Sequence, residues 1–206
     1  MRQILLLCAL LGTLITVTLP VHAAEQAWLE PRIDYIRLDP GETMTLRQAR
    51  DSERWQPVAQ GSPNFGYVTD TFWFRLRPPA RDDRQILEIS YPHLDHLEYT
   101  LVADGQVQQR VTTGDKLAFD QRPLRHPNFL VPFRTSDPGA TIYLKVSTSG
   151  ALQVPVRIWP QDAFFEHLSV EDQLHAIYYG ILITVIFFNL FIFLALRERT
   201  YLYYVL

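Results

Sequence analysis

Hydrophobic and polar residues follow two different patterns along this chain. Up to residue 158, short alternating or largely apolar runs are separated by residues typical of turns. These runs are rich in β-branched and aromatic residues and predict strands; they lie at 33–38, 71–76, 85–89, 96–102, 106–112, 129–133, 141–146 and 154–158. From residue 176 to 196 the chain is instead continuously apolar and carries no charge. That second pattern predicts a helix in a nonpolar environment.

Turn residues between the runs indicate how the strands connect. Asp104-Gly105 separates two alternating runs and is the strongest hairpin signal, because this pair tolerates the left-handed backbone of a tight turn. Other turn signals are Gly114-Asp115, Pro138-Gly139 and Ser149-Gly150. Eight or nine short strands spaced in this way predict a mostly β fold, an antiparallel jelly roll or β-sandwich over residues 24–160. One short helical turn is expected near residues 46–54.

The apolar segment is long enough to cross a bilayer. Its 21 residues, 176–196, would span roughly 32 Å as a helix, against a hydrocarbon core of about 30 Å. Fourteen of them are Leu, Ile, Val or Phe, which together favour membrane insertion by about 4–8 kcal/mol. We therefore predict a transmembrane α-helix over residues 174–196. Asn189, polar and at mid-depth, is expected to hydrogen-bond to a neighbouring helix or to promote self-association.

A linker is predicted over residues 161–173, between the strands and the membrane. Residues 163–168 have the pattern of a short amphipathic helix, which would lie near the lipid headgroups. Ser169 followed by Asp172 resembles a capping box, so the membrane helix is expected to begin near Val170.

Both ends of the chain bear on its topology. Residues 1–23 have the short basic start, apolar centre and small-residue cleavage site of a signal peptide, the alternative being an uncleaved anchor. Acidic residues precede the membrane segment, whereas Arg197 and Arg199 follow it, and basic residues remain cytoplasmic. The prediction is a membrane protein with residues 24–160 exported to the outer side of the bilayer. Cys8 is the only cysteine, so no disulfide is expected in the processed chain.

The final residues, 197–206, read as an inner loop and the beginning of a second membrane helix. Residues 201–206 are apolar and aromatic, but a span needs about 20 residues. We therefore expect the chain to be a fragment of a longer protein, the alternative being a genuinely truncated product.

Charge and motifs limit the chemistry of the exported part. Residues 24–160 carry 16 basic and 17 acidic residues, which argues against nucleic acid as a partner. We find no nucleophile, zinc-protease or phosphate-loop motif, and the sequence predicts neither catalysis nor a cofactor. His93 and His96, with His126 from elsewhere in the chain as a third ligand, would be the metal alternative. The favoured interpretation is structural: Pro92 starts a strand while Leu94 and Leu97 pack in the core.

Candidate ligand contacts are aromatic and basic residues in turn-rich segments. Sugar sites combine aromatic faces with a few polar groups, and Trp55 and Tyr67 flank a segment rich in Gly, Pro and Asn. Arg122, Arg125 and His126 form a basic loop that could meet an anionic sugar or peptide. The alternative for that loop is a solvated turn. Trp73, within a strand, is expected in the core.

Several short stretches occur in a fixed order along the chain. They are 71–75, 91–96, Gly114-Asp115, Arg122-Pro123, 143–146, Tyr178-Tyr179-Gly180, Asn189-Leu190 and 197–204. The last three resemble the first membrane helix and first inner loop of bacterial seven-transmembrane receptors with diverse intracellular signalling modules. The others, in the exported part, resemble that family's second type of extracellular domain.

The resemblance implies a location, the bacterial inner membrane with residues 24–160 in the periplasm, and also an architecture and a function. It implies a jelly-roll sensor similar to carbohydrate-binding modules, seven membrane helices, and a cytoplasmic output such as a histidine kinase or diguanylate cyclase. The predicted function is ligand sensing at a membrane, with a saccharide as a candidate ligand, the lipid bilayer as surroundings and a homodimer or a signalling protein as a candidate partner. The alternatives are a tethered binding or adaptor module without an output of its own, and an anchored envelope enzyme.

Overall fold

The computed structural model describes residues 27–58 and 61–204, and the predicted signal peptide lies outside these residues. The described strands are β1 (Ile33–Arg37), β2 (Gln56–Pro57), β3 (Asn64–Tyr67), β4 (Phe72–Leu76), β5 (Arg81–Ile89), β6 (His96–Ala103), β7 (Gln106–Thr113), β8 (Phe129–Thr135), β9 (Thr141–Ser147), β10 (Ala151–Gln153) and β11 (Val156–Pro160). The described helices are α1 (Leu46–Asp51), α2 (Gln161–Leu196) and α3 (Arg199–Leu202), with a short 3₁₀ turn at Phe119–Gln121.

The strands form antiparallel sheets, as the sequence predicted. The large sheet has six strands in the order β2-β1-β4-β9-β6-β7, and a smaller sheet has the order β11-β5-β8. A third pair, β10-β3, completes the sandwich. The expected hairpin is confirmed: β6 and β7 join at Asp104 and Gly105, whose φ angles are +51° and +72°. Two consecutive positive φ values give the tight turn that matches strand twist.

The core lies between the two larger sheets. Alternate residues of a strand share a face, so Phe72 and Phe74 of β4 point inward together. They belong to one buried cluster with Leu144 of β9, Leu87 of β5 and Val131 of β8. Each such side chain contributes roughly 1.5–3 kcal/mol of burial free energy, and the cluster extends through 22 buried residues. The mostly β fold class is thereby confirmed.

A second buried cluster covers part of the outer face of the large sheet. Helix α1 begins at a capping box, in which the Thr45 and Gln48 side chains each accept a backbone N–H from the other residue. Its Ala49 packs with Ile36 and Trp73, and Trp73 is buried as expected. The turn before β6 corrects one expectation: Pro92 lies in a turn, and the strand begins only at His96. Leu94 and Leu97 are fully buried, as predicted.

Helix α2 runs without a break from Gln161 to Leu196. The expectation of a separate amphipathic helix and a new start near Val170 is therefore wrong. The Ser169 hydroxyl accepts from Gln173 Nε2 at 3.4 Å, within the helix, instead of capping a terminus. The physical reason is that Pro160, whose φ of −57° already suits a helix start, initiates the helix directly after β11.

Helix α2 is, within the described part of the chain, the one helix whose length and composition suit a membrane crossing. The side chains of its apolar stretch are largely exposed, among them Ile183, Phe187 and Phe191. The helix ends at Arg197, whose φ of +56° breaks the helical path while its N–H still donates to the Phe193 carbonyl at 2.7 Å.

Candidate functional site

A polar and aromatic row crosses the outer face of the large sheet. Arg75 of β4 lies beside Asp34 of β1 on one side and Tyr143 of β9 on the other. Thr100 of β6 follows beyond Tyr143. These residues occupy the positions that alternate with the core residues of the same strands, so their side chains lie opposite the core. Sheet order thus brings together residues that are far apart in sequence.

Arg75 is held in place by two neighbours. Its Nε donates to Asp34 Oδ2 at 2.8 Å, and its guanidinium lies 4.6 Å from the centre of the Trp55 ring. Trp55 is itself fixed, since its indole N–H donates to the Ala49 carbonyl at 2.9 Å and its ring lies 6.2 Å from that of Tyr143. The predicted ligand residue Trp55 therefore connects α1 to the row.

A groove of about 600 Å³ opens at one end of this row. We call it the arginine groove; its polar walls are Arg32, Asp34, Arg75, Arg77, Thr141 and Tyr143, and Leu29 and Glu30 also line it. Tyr143 is largely buried and gives the groove a firm wall, whereas Arg32 and Arg77 are exposed at its rim. Sequence reasoning missed this groove. The one signal in the sequence was the alternation of side chains along β4, which places Arg75 on the face opposite the inward-facing residues of that strand.

The base of α2 packs against the smaller sheet through a set of aromatic side chains. Phe164 is 1% exposed and meets the Trp159 ring edge-on, with 5.7 Å between the ring centres. His167, one turn further along, stacks on Trp159 at 5.1 Å. Ile86 and Leu130 of the sheet complete the buried cluster. We call these five residues the helix junction.

A buried carboxylate lies beneath the helix junction. Glu88 of β5 is 6% exposed, and its two oxygens accept from Trp159 Nε1 and Asn128 Nδ2, each at 2.8 Å. Among the described residues no cation pairs with it. Hydrogen bonds in a low-dielectric site are electrostatically stronger than in water. They fix the Trp159 ring on which the helix base rests.

Residues 28–32, which we call the connector, touch both the groove and the helix junction. The backbone of Leu29 pairs with that of Ile158, with N–H···O distances of 2.8 and 2.9 Å. Trp28 lies 6.3 Å from Trp159 between ring centres, and the guanidinium of Arg157 lies over it at 4.7 Å. Leu29 and Arg32 line the groove. A displacement of the connector would therefore move residues that contact both the arginine groove and the helix junction.

The structure scatters the other predicted ligand residues. Tyr67 is 88% exposed on β3, outside the groove. The Arg122 Nη1 donates to the carbonyls of His126 and Pro127 at 2.8 and 2.6 Å, so this arginine closes its own loop. His126 Nδ1 accepts the Asn128 N–H at 3.1 Å, and its ring lies 6.2 Å from Phe164, beside the helix junction. Arg125 is exposed.

Asn189 makes its hydrogen bond within α2. Its Nδ2 donates to the Val185 carbonyl, one turn earlier, at 2.9 Å. The interhelical bond predicted from sequence requires a second helix beside this position and stays a prediction.

Two of the stretches that carried the family resemblance contact each other. Asp95 accepts from the Ser149 hydroxyl at 2.7 Å, the Ser149 N–H at 2.9 Å and Lys116 Nζ at 3.0 Å. These bonds, those of Ser149 first, lower the pKa of Asp95 to about 2. Gly114 approaches so closely that a Cβ there would lie 2.1 Å from the Asp95 carbonyl oxygen. Only glycine fits that contact.

The histidines near this turn do not assemble a metal site. His93 packs edge-on against Tyr91, with 5.6 Å between ring centres. Within the described ranges, no three His, Cys, Asp or Glu side chains converge closely enough to hold a metal ion.

Comparison with known families decides the identity. Residues 30–160 match the family described as 7TMR-DISM extracellular 2, and residues 171–206 match 7TM diverse intracellular signalling. The chain belongs to the 7TMR-DISM receptor family. No curated protein matches it. The first matched region ends with β11 and the second begins within α2, so the helix junction lies where the two 7TMR-DISM regions meet.

The family match also confirms the coarse function. This 7TMR-DISM chain comprises an extracellular sensor domain and a transmembrane part of a signalling receptor, with the sandwich outside the membrane. Both matched domains are of the sensory or receptor type.

Proposed function

We propose that this chain is the sensing part of a bacterial inner-membrane receptor whose periplasmic sandwich binds a saccharide in the arginine groove. Binding there shifts the connector, and the helix junction passes the shift to α2. The observation that carries this proposal is the position of Leu29, which lines the groove and is also hydrogen-bonded to β11, the strand that leads into α2.

The groove has the mixture of groups that sugars require. Tyr143 offers an aromatic wall, Thr141 and Asp34 offer oxygen acceptors, and the arginines offer donors. Saccharide hydroxyls both donate and accept, so a groove with both kinds of group suits them. Its strands belong to a sheet fixed by the core, which keeps these groups in place before a ligand arrives.

The helix is suited to carry a displacement through the bilayer. Its 36 residues span about 54 Å, and Pro160 is at its beginning rather than in its interior. The receptor's output would come from a cytoplasmic module of the histidine kinase or diguanylate cyclase type. A rigid-body shift of α2 would then be the signal that this module receives.

Hydrogen–deuterium exchange on the full chain in lipid nanodiscs tests the proposal. The probes are neutral and acidic trisaccharides: maltotriose, cellotriose, chitotriose and trigalacturonate. At least one is expected to slow exchange at residues 28–34 and 141–143 and to alter exchange at residues 161–170. Thr141→Trp, which fills the groove, should abolish both effects, while Tyr67→Ala, outside it, should keep them. Unchanged exchange with all four probes would overturn the proposal.

A further inference from the structure

The arginine groove contains more donors than the protein itself uses. Arg75 packs on Trp55 and donates its Nε to Asp34, and its Nη groups have no hydrogen-bond partner among the described residues. Arg32 and Arg77 line the same groove, and neither guanidinium forms a hydrogen bond or ion pair with any residue that the structure describes. Three guanidinium groups therefore face one groove with most of their N–H donors unused.

The charges of the groove do not cancel. Asp34 balances Arg75, and Glu30 is the remaining acidic residue among the lining side chains, set against both Arg32 and Arg77. One positive charge is left over. A guanidinium presents two parallel N–H donors that match the two oxygens of a carboxylate, which makes arginine the usual partner of that group.

In the basic loop at residues 122–126, Arg122 is directed into the loop itself. Arg122 directs its Nη1 to two backbone carbonyls and lies over the rings of Phe119 and Phe129. Its Nε is buried and has no hydrogen-bond partner among the described residues, so this guanidinium is enclosed by its own loop. One exposed arginine, Arg125, is left in that loop, whereas three arginines line the arginine groove, which is therefore the better place for the anion expected from sequence.

We infer that the arginine groove binds a carboxylate-bearing saccharide of the uronic acid class, with its carboxylate on the guanidinium groups of Arg32, Arg75 and Arg77 and its ring beside Tyr143. This inference rests on the proposed function, which supplies the saccharide, and adds the charge. The carboxylates of an acidic peptide would pair with the arginines equally well, but the peptide would lack a sugar ring to contact Thr141 and Tyr143. An acidic peptide therefore serves as a comparison in the test.

Calorimetric titration of the full chain in nanodiscs of zwitterionic lipid tests the charge directly. The two main probes are trigalacturonate and its methyl ester, which have the same sugar rings but carry ionised carboxylates in the acid and neutral methyl esters in the ester. The acid is expected to bind at least about tenfold more tightly than the ester. Its affinity should fall as salt rises from about 50 mM to about 0.5 M. Triglutamate should bind at least about tenfold more weakly than trigalacturonate.

Matched variants locate the effect. Arg32→Gln and Arg77→Gln should each weaken trigalacturonate binding about tenfold and leave binding of the ester unchanged. Arg134→Gln, an exposed arginine on β8 outside the groove, should change neither. Thermal unfolding of each variant checks that the fold is intact.

The outcomes separate the two proposals. If the ester binds as tightly as the acid, or if the groove variants bind trigalacturonate like the wild type, the charge inference is overturned while a saccharide site stands. Equal binding of triglutamate also overturns it, because charge alone would then suffice. If no trisaccharide binds at all, the proposed function falls together with the inference.

Discussion

At the scale of single residues, Asp95 shows how a polar side chain fixes a turn and makes stability depend on pH. Its bonds to Ser149 and Lys116 join three separate stretches of chain. They favour the ionised form, so the pKa of this carboxyl is about 2 in the folded protein against an ordinary value of 3.8. A lowered folded-state pKa stabilises the fold above pH 3.8, and that contribution is lost as the pH falls toward 2.

Asp95→Asn should therefore flatten the acid limb of the stability profile. The wild-type midpoint of thermal unfolding is expected to drop between pH 4 and pH 2, and the drop should be smaller in the variant. Ser149→Ala removes the hydroxyl donor, so it should move the wild-type drop to higher pH. Melting curves of the full chain in detergent measure this. Identical acid limbs in all three proteins would show that Asp95 does not carry the effect.

Tyr99 presents the opposite case, a polar atom without a partner. Its side chain is fully buried, its hydroxyl has no hydrogen-bond partner among the described residues, and burial raises the pKa of the phenol. An unpaired buried polar group costs about 1–3 kcal/mol.

Tyr99→Phe is expected to leave the free energy of unfolding unchanged or raise it by up to about 1 kcal/mol. Tyr35→Phe is the matched control, because it removes a hydroxyl that donates to Gln56 at 3.0 Å and should lower stability by about 0.5 kcal/mol. Chemical denaturation of both variants provides the values. A loss of more than about 1 kcal/mol in Tyr99→Phe would indicate a partner for its hydroxyl.

At the scale of elements, the long strands were predictable and the short ones were not. Strands β4, β6 and β9 carry five or more residues with an apolar alternation that the sequence displays. Strands β2 and β10 have two and three residues, too few to show a period. They exist because their neighbours in the sheet offer backbone hydrogen bonds, which is a property of the fold and not of the local sequence.

The continuity of α2 was missed for a related reason. Ser169 and Asp172 have the spacing of a helix start, but a capping side chain matters only where backbone N–H groups lack partners. Here the helix has already begun at Gln161, where the chain leaves β11. Docking of Phe164 on Trp159 holds the first turns in helical form before the membrane is reached.

Phe164→Ala should loosen the base of this helix. The side chain is 1% exposed, and removing a buried phenylalanine typically costs about 3–5 kcal/mol. Phe165→Ala, at the adjacent position with 47% exposure, is the control and should cost under about 1 kcal/mol. Unfolding of the sandwich, followed by tryptophan fluorescence, measures both. Equal effects of the two substitutions would contradict packing of the helix base on the sheet.

At the scale of the whole molecule, the candidate site could not be assembled from sequence. Asp34, Arg75 and Tyr143 become neighbours only because β1, β4 and β9 are adjacent in the large sheet. Strand order is decided by the whole chain, and turn signals between strands do not reveal it. Exposed aromatic and basic residues in loops were the visible candidates, and of these only Trp55 contacts the row.

At this scale the groove and the membrane helix are also connected by a continuous set of contacts. The connector lies between the groove and the helix junction at the base of α2. Leu29 lines the groove and pairs with Ile158, and the adjacent Trp28 contacts Trp159 of the helix junction. If a flexible linker joined the sensor to its helix, a displacement of the sensor would not be transmitted to the helix. Here β11 leads into the helix at Pro160 without an intervening loop, so sandwich and helix base should move as one body.

The most direct test of this account is the distance between two spin labels, one on the sandwich and one on the helix. The labels are placed by Arg134→Cys and His175→Cys in a Cys8→Ser background, and the full chain is measured in nanodiscs by pulsed electron resonance. We predict a single narrow distance distribution that broadens when Phe164→Ala is added. A broad distribution already present with Phe164 intact, and unchanged by its replacement, would contradict a rigid connection between the sensor and its membrane helix.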